Sequence, residues 1–432
     1  MEPPPQDAQS AFPPSTGLAL ASLVLGMAAV GLSFLLLGFL FGLVGLSLGI
    51  AYLSKKRGPT TMAYWGVGLS FFGVLASISF ALLYFHYYRV MGSTFVSASM
   101  APASPALASP SPLPASASLL KSNLVWSATI SGAQAMCVGD WESDGTERVL
   151  VAAGTTLHVL DLAGVEKSTL PLPDPFTSME CGRSKSAGAR LLGYAPWGQK
   201  VSVIDHNGKI AWTQSASMGI DGAHWGDLQG DGNDDMVIGM NGFGGLEVLS
   251  SDGKKLWSAS LANVWCQAII PVTVHLPALV LATDASGSVH IFDSAGHNQT
   301  ALRPEGGYYN GFAAGVGESN LVQILGFSGN AAVAFDGSGK VAWITSASAR
   351  AAVAGSAHAS AVLGDFTGNG TNEWGFIDGS GDLVIATIGG QKVASIPVSN
   401  TIEGFAVAPR NGQGALLLTL DNGVMQAWSF QR

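Results

Sequence analysis

Short apolar runs separated by Gly- and Asp-rich turns fill the last three quarters of the chain, whereas long uncharged apolar runs fill the first quarter. The pattern is clearest in GDLQGDGNDDMVIGMNGFGGLEVLSSDGKKLWSAS, residues 226–260. MVIG reads as a short strand, GFGG turns the chain, LEVLS is a second strand and KLWSAS a third. Asp252-Gly253 between two apolar runs is a hairpin signal, because Gly accepts the positive φ of a tight turn. The phrase returns with a period near 43 residues, as expected of propeller blades. It gives Asn207-Gly208-Lys209-x-x-Trp212, Asp252-Gly253-Lys254-x-x-Trp257 and Ser338-Gly339-Lys340-x-x-Trp343. Gly164, Gly296, Gly389 or Gly390, and Gly423 complete a series of seven turns. The chain ends too soon after Gly423 for a full outer strand, and Leu124–Ala128 reads as an outer strand without its own turn. An N-terminal strand closing the last blade accounts for both, and a closed ring leaves no exposed sheet edge. Miscounting one degenerate repeat would make the ring six- or eight-bladed.

The first quarter has a different pattern. Gly17 to Leu53 contains no charged residue. As one helix it would measure roughly 55 Å, against a hydrocarbon core of about 30 Å. Two spans breaking near Gly38–Gly42 fit better, and Met62–Phe85 supplies a further one, so three spans are expected, with two as the alternative. Gly42, Gly45 and Gly49 have the spacing that lets helices approach closely. Lys55, Lys56 and Arg57 cluster in the intervening loop, which the positive-inside rule places in the cytoplasm. Everything beyond about residue 90 then lies outside it. The expected organisation is a Pro-rich tail (1–16), a transmembrane helical domain (17–88), an Ala/Ser/Pro linker (89–122) and an all-β seven-bladed propeller (123–432). GLALASLVLGMAAVGL, the basic loop and the second apolar segment resemble a small bacterial membrane domain of unknown function over roughly residues 14–88. That resemblance implies a cell-membrane location and no chemistry.

Composition sharpens this reading. Only 11% of the 432 residues are charged and mean hydropathy is +0.34, which suits a membrane segment. The net charge of −9 is unevenly spread: after residue 91 the chain carries 16 basic and 27 acidic residues. Such a body repels phosphate backbones, which argues against a nucleic-acid partner. Cys137, Cys181 and Cys266 are too few for a disulfide framework, and the odd count leaves at least one thiol unpaired within the chain.

Three loops share a spacing of oxygen-bearing side chains: Asp140-x-Glu142-x-Asp144-Gly145, Asp227-x-Gln229-x-Asp231-Gly232-x-x-Asp235 and Asp365-x-Thr367-x-Asn369-Gly370-x-x-Glu373. Oxygens at positions 1, 3, 5 and 9, with Gly at 6, can wrap a hard cation. The alternative is an Asx-type turn that caps a hairpin. The loops resemble the FG-GAP and VCBS repeats, and that resemblance implies calcium at Asp227, Gln229, Asp231 and Asp235. Position 9 of the first loop departs from it as Arg148. The Gly-Lys-x-x-Trp turns resemble the quinoprotein-like repeat, in which Trp docks neighbouring blades; Trp126, Trp212, Trp257 and Trp343 fit that role. No phosphate loop or zinc pattern occurs, and no Gly-x-Ser-x-Gly occurs after residue 91. His224 and Glu180 fall on innermost strands, facing the channel, as candidate site residues or as ordinary strand residues. The chain thus reads as a membrane-anchored extracytoplasmic binding or scaffolding module with a protein or glycan partner. A channel-sited redox or hydrolytic enzyme, and an envelope sensor, are the alternatives.

Overall fold

The computed structural model describes residues 37–55, 61, 63–79, 111–116, 119–185, 188–303, 309, 311–317, 321–348, 361–398, 402–410 and 412–431. The chain divides into two units, Met1–Pro102 and Ala103–Arg432.

Two helices make up the described part of the first unit: α1, Leu37–Lys55, and α2, residues 63–79. Their inward faces are small. Gly42, Gly45 and Gly49 are buried on α1, and Ala63, Gly66, Ser70, Gly73 and Ser77 on α2. A Cβ on Gly42 would lie 2.6 Å from Val74 Cγ2 and 2.9 Å from the Ser70 carbonyl, so the backbones touch where Gly allows it. The large apolar side chains Leu43, Val44, Ile50, Trp65, Phe71, Phe72 and Ile78 are exposed instead. The expected break at Gly38–Gly42 is not seen: these residues form the first turns of α1. The part of the expected Gly17–Leu53 span before residue 37 lies outside the described residues. Among the described residues, no helix is long and apolar enough to cross a membrane.

The second unit is the expected seven-bladed propeller. Seven four-stranded antiparallel sheets follow one another, each strand pairing with the next. Their innermost strands are Ala133–Gly139, Ser178–Ser184, Ile220–Gly226, Gln267–Ile270, Gly311–Val316, Ala361–Gly364 and Ile402–Arg410, one for each of blades 1 to 7. The core is divided into seven clusters, one at each junction between neighbouring blades. Second strands therefore face apolar neighbours on both sides. Asp235–Met240, DMVIGM, is buried throughout and shows no alternation.

Ring closure follows the expected route. Lys121–Thr129 pairs antiparallel with Val424–Gln431, with Lys121 opposite Gln431 and Thr129 opposite Val424. One boundary shifts. The closing strand begins at Lys121, inside the expected linker. The linker's end is also bound to blade 6: Lys392 N donates to Pro114 O (2.9 Å), and Leu120 N to Val393 O (2.8 Å). The seventh turn marker is also of another kind. The first six Gly turns join third to fourth strands, but Gly423 joins the second and third strands of blade 7. Blade 7 has no third-to-fourth turn, because its fourth strand comes from the other end of the chain.

The tryptophans dock the blades as expected. Trp126, Trp212, Trp257 and Trp343 each lie on the fourth strand of one blade and donate their indole N–H to a turn carbonyl of the next. The acceptors are Leu162, Ser251, Ser294 and Ile388, at 2.8 to 3.0 Å. Each ring covers the turn Gly of that next blade, Gly164, Gly253, Gly296 or Gly390, so closely that a Cβ there would overlap it. Blade 4 lacks this Trp, and Leu302 covers Gly339 instead.

Candidate functional site at the channel mouth

Seven inner strands running side by side leave a central channel. A cavity of about 360 Å³ opens within it, lined by Cys137, Glu180, Tyr194, Asp221, His224, Trp265, Gln267, Phe312 and Phe405 among others. Each inner strand starts on the face that carries the connections between blades and the turns between second and third strands. Asp221, Gln267 and Phe312 are first or second in their strands, so this cavity lies toward that face.

The structure brings together the two channel residues singled out in the sequence. His224 Nδ1 lies 3.1 Å from Glu180 Oε2, and Trp225 N donates to the same oxygen (3.2 Å). Burial opposes protonation of His224, but the Glu180 charge and hydrogen bond more than offset it, and its pKa is raised. Tyr194 sits behind them; its hydroxyl accepts from Ala223 N (3.3 Å), and burial raises its pKa.

Asp221 was missed by sequence reasoning. It occupies a bulge at the start of the blade 3 inner strand, where the pairing register shifts between Ile220 and Gly222. It is 5% exposed, its Oδ2 has no hydrogen-bond partner, and burial pushes its carboxyl up to about 6. Gln267 reaches across from blade 4 into the space left by Gly222 and Gly239, where any Cβ would collide with its amide. A signal existed: Asp221-Gly222 stands inside IDGAHWG rather than between two apolar runs, so the pair is no hairpin turn. A bulge re-aims a side chain, and such bulges gather next to functional sites.

All three cysteines line this cavity. Cys137 and Cys181 form a disulfide between the inner strands of blades 1 and 2. Cys266 is free and buried, and burial pushes its thiol far above the ordinary range, which disfavours the thiolate.

On the same face, Trp197 is 65% exposed and holds φ at 64°, which is unusual for a bulky residue. Such strain costs on the order of 1–3 kcal/mol and persists where surrounding bonds impose it. Here Trp197 N donates to Ile220 O (2.7 Å) and Gly198 N to Ala195 O (3.0 Å).

The three Asp loops join first and second strands, and so open on the opposite face. Their leading residue caps the turn in each case. Asp227 Oδ1 accepts from Gly230 N (2.6 Å) and Asp231 N (3.2 Å), and its Oδ2 accepts from Gly232 N (2.9 Å). The loops differ in what fills them. In the first, the Arg148 guanidinium brings its own positive charge, 2.7 Å from Glu142 and 3.0 Å from Asp144. In the third, buried Glu373 is satisfied by Phe366 N, Thr367 N, Thr367 Oγ1 and Asn369 Nδ2. In the second, Asp235 is 3% exposed with an unpartnered Oδ2, and burial followed by the Asp231 charge pushes its carboxyl up to about 6. Among the described residues no three His, Cys, Asp or Glu side chains are already gathered as a metal site. Only the second loop keeps a buried carboxylate oxygen that a cation would satisfy.

No family model and no curated protein sequence matches the chain. Solved structures match its shape. BBS1N, in a crystal structure of its complex with ARL6DN, aligns with a TM-score of 0.57 at 12% identity, covering 73% of this chain and 98% of that one. Virginiamycin B lyase from Staphylococcus aureus aligns at 0.51 and 14% identity, covering 72% and 99%. A streptogramin B lyase aligns at 0.52 and 15%, covering 72% and 98%. At these identities the likeness carries the fold alone, and it agrees with the seven blades described above.

Proposed function

We propose that the protein is a membrane-anchored, extracytoplasmic β-propeller of the bacterial cell envelope that binds a ligand or partner at its channel mouth. The observation that carries this reading is the convergence of Glu180, Asp221, His224 and Gln267 on one cavity. A concave site with a few convergent polar groups, one of them an unpartnered carboxylate, is built to bind. The tether is supported by the helical pair: its small residues face inward and its large apolar ones outward, the reverse of a helix pair in water. The extracytoplasmic placement is supported by the Cys137–Cys181 bridge, since such bonds persist in oxidising compartments. The Asp227–Asp235 loop would hold a calcium ion, with Asp231, Asp235 and Gln229 offering oxygens. The structural neighbours include both a propeller in a protein complex and lyases, so their names favour neither binding nor catalysis.

A second reading, a channel-sited enzyme, rests on the His224–Glu180 pair, an imidazole oriented by a carboxylate as in general bases. Binding takes precedence because the unpartnered Asp221 and the aromatic wall around it suit an occupant held in place. The test is photo-crosslinking in cells. Benzoylphenylalanine replaces Phe405, on the channel wall, or Ile210, on an exposed outer strand. Adducts specific to position 405 are expected. Adducts at position 210 with none at 405 would move the binding site off the channel.

A further inference from the structure

The cavity is unbalanced in charge, and the rim beside it is apolar. Its described lining contains two carboxylates, Glu180 and Asp221, one imidazole and no Lys or Arg. His224 is committed to Glu180 at 3.1 Å, and Asp221, which lines the cavity, has no cation beside it among the described residues. Trp265, Phe312 and Phe405 supply apolar and aromatic wall around it. Aromatic walls with a carboxylate at the end accept the stem of a basic side chain and then its charge.

The rim continues from Asp221 through the chain itself. Ile220 O accepts from Trp197 N (2.7 Å), and Gly219 O accepts from Asn241 N (2.9 Å). The Met218 side chain lies beside Gly242 and Gly244. Trp197 and Phe243, 65% and 67% exposed, therefore flank the three residues that lead into Asp221, the first of which is Met218, 37% exposed. This apolar surface stands outside the cavity, so an occupant touching both must be larger than the cavity. The acidic body, with 27 acidic against 16 basic residues after position 91, favours a basic occupant.

We propose that this face docks a partner polypeptide, which inserts a lysine or arginine side chain into the channel mouth beside Asp221 and rests its flanking residues on Trp197 and Phe243. The proposal rests on reading the channel mouth as the binding site and names the chemistry of what it takes. The full chain in detergent is titrated with four fluorescent degenerate nonapeptide pools, identical except for a fixed central Lys, Arg, citrulline or norleucine. The Lys and Arg pools should bind at least tenfold more tightly than the other two. Asp221→Asn should remove that ratio, and Phe243→Ser should weaken all four pools. Equal binding of the four pools, or no binding by any, overturns the proposal. Free lysine amide binding as tightly as the pools would assign the cavity to a small amine. Self-association lost in Phe243→Ser would assign the face to a second copy of the chain; either result also overturns it. Channel adducts at position 405 with a flat peptide series would defeat this inference alone, whereas absence of those adducts would defeat the channel reading beneath it.

Discussion

Asp221 shows how one residue ties strand geometry to a measurable cost. Its folded carboxyl sits at about 6 because burial penalises its charge, against an ordinary value of 3.8. The folded chain thus binds a proton more readily than the unfolded one between those values. Its contribution to stability is best below about pH 4, falls as pH rises toward about 6, and stays low above it. Asp221→Asn should therefore raise the stability of the propeller at pH 7.5 by on the order of 1–2 kcal/mol, with little effect at pH 4. Denaturant titrations at the two pH values measure this, and an equal change at both would show that the gain is not electrostatic. A residue that costs stability at neutral pH is the kind a binding site keeps. The sequence pointed to His224 and Glu180 because inner-strand position could be counted from the turns. It did not point to Asp221 because IDGAHWG is buried almost throughout, so no alternation distinguishes the face it presents.

At the scale of the element, turns were the most legible feature, because their chemistry is local. At four of the blade junctions the turn Gly of one blade (Gly164, Gly253, Gly296 or Gly390) lies beneath the Trp of the blade before it. At Gly339 the ring is replaced by Leu302, because blade 4 carries no Trp after Gly296. Gly423 looked like the seventh member because second-to-third and third-to-fourth turns use the same residues. The Asp loops were legible as turns but not as to their contents, since these depend on side chains folding back. Arg148 at position 9 was the one visible hint, and the structure shows its guanidinium within the first loop. For the second loop we expect calcium to act through Asp231 and Asp235. Millimolar calcium should raise the melting temperature of the propeller. A ligand at ten times its dissociation constant adds roughly 1.4 kcal/mol. Asp231→Ala should abolish the shift, and Asp144→Ala should leave it. Because burial pushes the Asp235 carboxyl up to about 6, a proton would compete with the ion, so the shift should shrink between pH 7.5 and pH 5. No shift at pH 7.5 would make the loop a metal-free hairpin cap.

At the scale of the whole molecule, ring closure is a consequence of chain order. The strand closing blade 7, Lys121–Thr129, follows Pro114, Ser116 and Leu120, which are hydrogen-bonded to blade 6. The described chain of the second unit thus begins, at residue 111, at the outer edge of blade 6. That fixes what a topology experiment must see. If Lys55–Arg57 lies in the cytoplasm, protease added to intact spheroplasts should cut between residues 89 and 110 and release the folded ring. Protected fragments should begin near residue 111, because the backbone beyond it is hydrogen-bonded. The same sample reports the compartment. Without reductant, a Cys137–Cys181 cross-linked peptide should be recovered, and Cys266 should resist alkylation until the ring is unfolded. In the chain-entropy account, a bridge closing a loop of 44 residues stabilises by up to about 4 kcal/mol, so reductant should also lower the melting temperature. Full protection of the ring in spheroplasts, together with free thiols at Cys137 and Cys181, would place it on the cytoplasmic side. In that case the basic loop 55–57 would have to lie outside, against the charge asymmetry that orients membrane helices.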